Sequence, residues 1–526
     1  MSGIYHPPPT HQISLAMQRR CSQRIVDGSD EDIFLYLADT VYQERKRIED
    51  GNAEDAPEQY QSLLKSAARA LQRNRTAMEA ALMNLVDAYA KEIHTQFSPR
   101  TYAFASKMLP GALTRLLTAA QPSQIFGSDF DPASRIVIDG PIEKLQQLAT
   151  NHTLVFTPTH LSNLDSPLIG YALSLANLPP VIYGAGLNLF SNPLMAFFMS
   201  RLGAYTVDRR KNNRLYKDVL KDYSVECLQR GCHSLFYPGG TRSRDGSIEK
   251  KLKRGLLGTV IQAWQENLSQ QKKNPELLVV PCTLSSSLVL EAETLIEDAL
   301  SEVGKSRYII TDDEFSETRI LANFTRKVLN LESSLHVQFG DPLDCIGNVV
   351  DSAGISLDPK GNRVDRNEYI TNKRGRIEVD EQRDQQYTNR LADSIIHSYR
   401  KNNIILSTHL VAFSAWSILC DRFPRLDDVQ RALLTEEERT ISQKMLLHRI
   451  DDIHATIQQL VDQKQVLANI PQNTKRILSN ALQQFSLYHK QPVVKPQTGQ
   501  NMIVNSKLAL YYGNRLSSYN IDWSRL

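Results

Sequence analysis

Apolar positions along this chain change texture twice. From Asp30 to about Ala120 they recur at helical spacing: Ile33, Phe34, Leu37 and Val41 mark one apolar face, and Met78, Leu82, Leu85, Val86 and Tyr89 another. The pattern predicts a helical domain over residues 31–125, with a connection at Asp50–Pro57, after a loose, disordered stretch at residues 1–30. From about 130 to 345 the texture becomes short β-like runs separated by helical segments. Predicted strands are Leu154–Thr157, Pro180–Tyr183, Ala204–Val207, His233–Tyr237, Leu277–Pro281 and Leu335–Phe339. Predicted helices are Ser166–Ala176, Asn192–Leu202, Asn213–Gln229, Gly255–Glu266 and Glu314–Leu329. This alternation predicts an α/β layer with the sheet buried between helices. Residues 351–376 are charged and Gly-containing and read as an exposed insertion or linker. Residues 379–526 read as a helical region, with Arg383–Lys401, Ser407–Cys420 and a long polar helix from about Thr435 to Leu467, and the last forty residues mix β-like and polar segments. No repeat period is evident.

The 526 residues exceed one compact domain, so two to three domains are expected. A formal charge of +3 is nearly neutral for this size and predicts no nucleic-acid partner. The six cysteines are scattered without a C-x-x-C pair, which favours a reducing compartment over a disulfide framework or a zinc site. The stretch Met1–Gln12 carries three prolines and no apolar core, unlike a secretory signal. No apolar run reaches the roughly 20 residues of a spanning helix. The best candidates, Leu187–Leu202 and Ile404–Cys420, are broken by polar residues. The expectation is a soluble or membrane-peripheral protein.

Ligand sites in α/β layers sit where strands hand over to helices, and two such handovers carry chemistry. After the apolar run Thr153–Pro158 come His160-Leu-Ser-Asn-Leu-Asp165. An imidazole accepts a proton near neutral pH, and a carboxylate on its other nitrogen fixes the tautomer and stabilises the imidazolium. Alternatively Asp165 caps the helix that follows and His160 is a loop residue. After Phe236-Tyr-Pro come Gly239-Gly240-Thr241-Arg242-Ser243-Arg244, offering main-chain amides, two hydroxyls and two guanidiniums to a phosphate dianion. The other reading is a Gly-Gly turn with solvated arginines. Lys250, Lys251, Lys253 and Arg254 are either a solvated face or a contact for an anionic membrane or acyl carrier. Arg209, after Gly203–Val207, is either another phosphate contact or surface charge at a strand end. Val280-Pro281 reads as a core strand ended by a proline. The Phe-, Met- and Leu-rich run Leu187–Met199 is either core or an exposed patch for a bilayer or acyl chain. With no Ser or Cys nucleophile motif near His160, the nucleophile would be a substrate hydroxyl.

In order and spacing, four segments resemble the glycerolipid acyltransferase superfamily: His160…Asp165, Gly203…Arg209, Gly240-Thr241-Arg242-Ser243 and Val280-Pro281. The match covers roughly residues 150–290. Pro158, the Gly-Gly…Arg-Ser-Arg texture and the flanking helical sequence look more like the glycerol-3-phosphate acyltransferases than the lysophosphatidate acyltransferases. Two departures stand out. The family's phosphate block usually has Glu where this chain has Gly239. Its Val-Pro block often has a Tyr further on, where this chain reads Ser285-Ser286-Ser287.

The resemblance implies an acyltransferase-type mixed sheet, placed at residues 130–345, with an N-terminal helical domain and a C-terminal helical extension. It implies acyl transfer from acyl-CoA or acyl carrier protein, as co-substrate, to the sn-1 hydroxyl of glycerol 3-phosphate, with no cofactor or metal. His160 would be the base, Asp165 its orienting acid, and Arg209, Arg242 and Arg244 a phosphate clamp with Gly240, Thr241 and Ser243. Amides near Gly239–Gly240 or the His160 loop would serve the oxyanion. Such an enzyme is expected in the cytoplasm, peripheral on the cytoplasmic face of a membrane, with the N-terminal domain as a substrate- or membrane-facing cap. Lysophosphatidate is the alternative acceptor. A non-catalytic lipid- or phosphate-binding scaffold is the alternative of another class. A phosphohydrolase would need metal-ligand spacing or a nucleophile that this segment lacks.

Overall fold

The computed structural model describes residues 10–26, 28–51, 58–104, 136–187, 199–303, 335–372, 374–489 and 491–522. The predicted helix Glu314–Leu329, most of Asn192–Leu202 and most of the apolar run Leu187–Met199 lie outside them.

Four helices open the chain: α1 (Thr10–Val26), α2 (Asp30–Glu49), α3 (Glu58–Ala70) and α4 (Arg75–Ile93). Ser29 and Asp32 form a reciprocal capping box that starts α2, and Asn74 caps α4 through the Ala77 amide. The expectation that residues 1–30 are loose is overturned for α1. Ile13, Met17, Cys21 and Ile25, each four residues apart, are all buried in the helical core. The Gln and Arg residues between them masked this stripe, and the arginines hold the helix in place. Arg20 pairs with Glu266 at 2.7 Å and Arg24 with Asp222, tying α1 to helices of the sheet domain. On α2 the buried stripe is Ile33, Leu37 and Val41, and Phe34 points outward, 41% exposed.

The sheet domain follows as β1 (Ile136–Asp139), α5 (Ile142–Leu148), β2 (Thr153–Pro158), α6 (Asp165–Leu175), β3 (Ile182–Gly186), β4 (Ala204–Val207), α7 (Arg214–Gln229), β5 (Ser234–Leu235), α8 (Arg254–Ser269), β6 (Leu277–Ser286), α9 (Ala292–Val303) and β7 (Leu335–Phe339). The strand order is β1-β7-β6-β2-β5-β3-β4. β2, β3, β4, β5 and β6 run parallel, β7 is antiparallel to β6, and β1 is parallel to β7. The expected mixed α/β sheet flanked by helices is therefore the fold. All six residues of β2 are buried, as an interior parallel strand covered on both faces requires. Pro281 does not end its strand. β6 runs on to Ser286, because it exchanges parallel pairing with β2 for antiparallel pairing with β7 at Cys282. Parallel pairing also puts the carboxyl ends of β2, β5, β3 and β4 on one edge, from which the His160, Gly239 and Arg209 segments all depart.

A repeat that the sequence reading missed follows β7. Asp344, Asp351, Asp358, Asp365 and Asn372 stand seven residues apart. At four of them the side-chain oxygen accepts the amides two and four residues on. The glycine three residues on takes a positive φ, from 70° to 97°. The turn at Asp365, with Glu368 in the glycine's place, closes as a short 3₁₀ helix instead. Between the turns Cys345, Ile346, Val350 and Ile370 are buried, while Ser352, Ala353, Lys360 and Arg363 are exposed, so the residues between the turns follow no repeat of their own.

The C-terminal region includes two long helices, α10 (Glu381–Lys401) and α11 (Ser407–Arg422), and a third, α12 (Gln443–Asp462), that starts later than expected. It is not wholly helical. Val494–Gln497 and Asn501–Val504 pair with Thr440–Ser442 in a small antiparallel sheet, and Ile404–Leu406 pairs with Leu467–Asn469. Ser407 to Leu419 are all buried, so the near-membrane hydropathy of Ile404–Cys420 belongs to a core helix. This region shares one apolar core with Phe156 and Phe339 of the sheet. Among the described residues no helix is long and apolar enough to cross a membrane.

Candidate active site

His160 lies two residues beyond the end of β2, and Asp165 begins α6. The His160 Nδ1 stands 3.0 Å from Asp165 Oδ2. The same oxygen accepts the amides of Leu161, at 2.6 Å, and Ser162, at 2.8 Å. An oxygen already accepting two N–H groups is an acceptor for the ring as well, so Nδ1 carries the proton and Nε2 keeps its lone pair. Asp165 does not cap α6: the cap position is Leu164 and no side chain closes it. Its carboxylate turns back to gather the loop around His160 instead. The imidazole stacks on Tyr237, with ring centroids 4.1 Å apart at 24°. The Tyr237 hydroxyl is 3.1 Å from Ser166 Oγ, and burial holds its pKa well above the usual phenol value.

Two carboxylates that the sequence reading did not single out complete the loop. Glu249 Oε1 accepts the His160 amide at 2.9 Å. Glu291, buried at the start of α9, accepts the Ser162 hydroxyl at 2.8 Å, the Asn163 amide at 3.0 Å and the Arg242 guanidinium at 3.1 Å. Glu291 therefore couples the His160 loop to the arginine of the phosphate block. Neither contact had a local signature, since the partners are 89 and 129 residues apart in sequence.

The predicted phosphate residues divide. Gly240 turns with φ +81°, a conformation glycine adopts freely, and its amide donates to Tyr237 O at 3.0 Å. Thr241 is exposed; Arg242 and Arg244 are half-buried beside it. Ser243 builds the turn: its amide donates to His160 O at 2.8 Å and its hydroxyl to Ser247 O at 2.8 Å. Of the four basic residues expected to face a donor or membrane, Lys250, Lys251 and Arg254 are exposed. Lys253 is exposed too, but its side chain crosses the phosphate turn. A Cβ on Gly240 would meet Lys253 Cε at 2.5 Å and Nζ at 2.6 Å. Its amide also closes the turn on Pro238 O at 2.7 Å.

Arg209 is exposed on the loop after β4, two strands along the same edge from β5. The N-terminal helices clasp this loop. Lys211, 6% exposed, pairs with Glu92, and its ammonium lies 5.0 to 5.3 Å from the ring centroids of Tyr60, Tyr89 and Tyr216. Asn213, fully buried, donates to Glu44 Oε1 at 2.9 Å, and Glu44 also holds Arg47 and Tyr60.

Residues 141–285 match the family model described as Acyltransferase. This segment is similar to the acyltransferase family. The acyltransferase segment spans the histidine, arginine, phosphate and Val-Pro blocks, so the resemblance read from those motifs holds. The chain is 30% identical over 203 residues to a glycerol-3-phosphate acyltransferase of Histophilus somni, covering 38% of this chain and 23% of that protein. It is 25% identical over 339 residues to one of Haemophilus influenzae, covering 64% of this chain and 34% of that protein. The chain thus spans about a quarter to a third of the length of these relatives. Among solved structures, a 1-acyl-sn-glycerophosphate (LPA) acyltransferase from Thermotoga maritima aligns over 60% of this chain and 86% of that one, at 14% identity and a TM-score of 0.25.

Proposed function

We propose that this protein transfers a fatty acyl group from acyl-CoA or acyl carrier protein to the sn-1 hydroxyl of glycerol 3-phosphate. The observation that carries the reading is the His160 imidazole held by Asp165 through Nδ1, with Nε2 left to accept a proton beside an arginine-bearing glycine turn. The acceptor hydroxyl gives its proton to Nε2 as its oxygen attacks the thioester carbonyl. The tetrahedral adduct collapses, the C–S bond breaks, and the leaving thiolate takes the proton back from the imidazolium. Asp165 stabilises the imidazolium between those steps. The thioester is already activated, so orientation and base catalysis suffice for the rate.

The amides of His160 to Leu164 are each bonded to Glu249, Asp165, Glu291 or Ser162, so the His160 loop has none to offer an oxyanion. The Gly240 amide is likewise bonded to Tyr237 O, so that role falls to the Gly239 and Thr241 amides of the turn. Arg242 and Arg244, with Lys253 across the turn, bind the phosphate, and Arg209 supplies charge from further along the edge. Lys250, Lys251 and Arg254 face the anionic donor or an anionic membrane surface, with the enzyme peripheral on its cytoplasmic face. The test is acyl transfer by purified protein, wild type beside His160→Ala, offering glycerol 3-phosphate and lysophosphatidate separately with each donor. Transfer to glycerol 3-phosphate that disappears in His160→Ala supports the reading. Folded wild type that acylates neither acceptor refutes it.

A further inference from the structure

Glu249 lies in the loop between the phosphate turn and α8, where no pattern in the chain sets it apart from the lysines that follow. Its Oε1 accepts the His160 main-chain amide at 2.9 Å, while Oε2 is buried without a hydrogen-bond partner. Burial pushes its carboxyl pKa above the ordinary glutamate value, against the pull of the His160 amide and of the buried Arg515 guanidinium.

The side chain has this place because Gly239 has none. A Cβ built on Gly239 would meet Glu249 Cγ at 3.2 Å and Oε1 at 3.6 Å. Unlike Gly240, Gly239 has no positive φ, so its backbone would accept a side chain. The loop is braced from behind by the C-terminal region. Gly246 packs so closely on Tyr511 that a Cβ there would stand 2.1 Å from Tyr511 O, and Asn514 Nδ2 donates to Asp245 O at 2.9 Å.

We infer that Glu249 is a positioning residue for His160, its carboxylate gripping the His160 amide from the space that Gly239 vacates. Asp165 fixes the ring and Glu249 fixes the main chain that carries it. The inference rests on His160 acting as the base. A side chain supplied from position 239 would reach the same amide, so the two positions exchange one role.

The experiment compares Glu249→Ala, Glu249→Gln and the double variant Gly239→Glu/Glu249→Ala with wild type and His160→Ala. Misplacing a catalytic group by about 1 Å costs on the order of a hundredfold in rate. Glu249→Ala is therefore expected to lose about 10- to 100-fold in kcat, with KM for glycerol 3-phosphate within about twofold. Glu249→Gln keeps an oxygen acceptor for the amide and is expected to restore most of kcat, as is Gly239→Glu in the Glu249→Ala background. A readout that needs no turnover is the downfield Nδ1 proton resonance of His160, assigned by its absence in His160→Ala. It should shift or vanish in Glu249→Ala and persist in Glu249→Gln. Wild-type kcat or an unmoved resonance in Glu249→Ala would overturn the inference, as would Glu249→Gln performing no better than Glu249→Ala. Failure of wild type to acylate any acceptor would instead sink the proposed function, with the resonance still deciding the positioning role.

Discussion

Replacing Asp165 by asparagine separates charge from shape at the centre of the site. The Asp165 oxygen holds three donors: the His160 ring and the amides of Leu161 and Ser162. The asparagine side chain would present a neutral carbonyl oxygen to the same three, so the loop should keep its form while the imidazolium loses its counter-charge. At the observed 3.0 Å, and with an effective dielectric of about 20, that attraction is on the order of 5 kcal/mol, of which a dipole recovers part. The expected loss in kcat is about 10²- to 10⁴-fold, or about 3–5 kcal/mol. Asp165→Ala should lose as much activity and also destabilise the fold. It strands the buried Leu161 and Ser162 amides, at about 1–3 kcal/mol each. The assay is acyl transfer for both variants beside thermal melting. Asp165→Asn should melt close to wild type and Asp165→Ala well below it. Asp165→Asn retaining a tenth or more of wild-type kcat, or Asp165→Ala melting like wild type, would refute the assignment of charge to catalysis and hydrogen bonding to the loop.

Three further outcomes are expected. Glu291→Ala should raise KM for glycerol 3-phosphate about tenfold and lower the melting temperature, because it removes the carboxylate that joins Arg242 to the Asn163 amide and the Ser162 hydroxyl; steady-state kinetics and calorimetry check both. Lys211→Met should destabilise by about 1.5–3 kcal/mol by taking its charged partner from the half-buried Glu92 carboxylate, and adding Glu92→Gln should recover part of the loss in a denaturation series. The third concerns pH. Burial lowers His233 to a pKa of about 4 and His409 to about 3, against an unfolded value of about 6.5. Each Nδ1 accepts a main-chain amide, from Leu154 and Leu406. A depressed histidine contributes stability above its unfolded pKa and loses it as pH falls, so stability should drop by about 1.4 kcal/mol per pH unit for each ring below about pH 6. Melting temperature against pH from 7 to 4.5 measures this, and a His233→Gln/His409→Gln variant should flatten the slope.

The local patterns carried much of the architecture. β4 and β7 have the predicted bounds, and α6, α7 and α10 begin within two residues of theirs, because each is announced by an apolar run or a periodic stripe with a turn beside it. The histidine and phosphate blocks were legible because each is contiguous. What escaped was long-range or diluted. Glu249 and Glu291 matter through partners far away in sequence, and no spacing rule marks either. α1 hid because the arginines that dock it onto α7 and α8, Arg20 and Arg24, looked like solvated surface. The C-terminal sheet hid because its strands are three or four residues long. Arg515 is the extreme case: a fully buried guanidinium, bonded to Asn403 Oδ1 at 2.7 Å and Leu284 O at 2.6 Å, that binds the C-terminal region to the strand behind the site. Composition predicts a buried arginine nowhere in particular.

The most direct measurement offers glycerol 3-phosphate and a lysophosphatidate whose acyl chain differs from the donor's, together with one acyl-CoA, to wild type and His160→Ala, and identifies by mass spectrometry which products carry the donor's chain. The account predicts 1-acylglycerol 3-phosphate from wild type and none above background from a folded His160→Ala. Phosphatidate formed only from the added lysophosphatidate, or the same product at the same rate from both proteins, would contradict it.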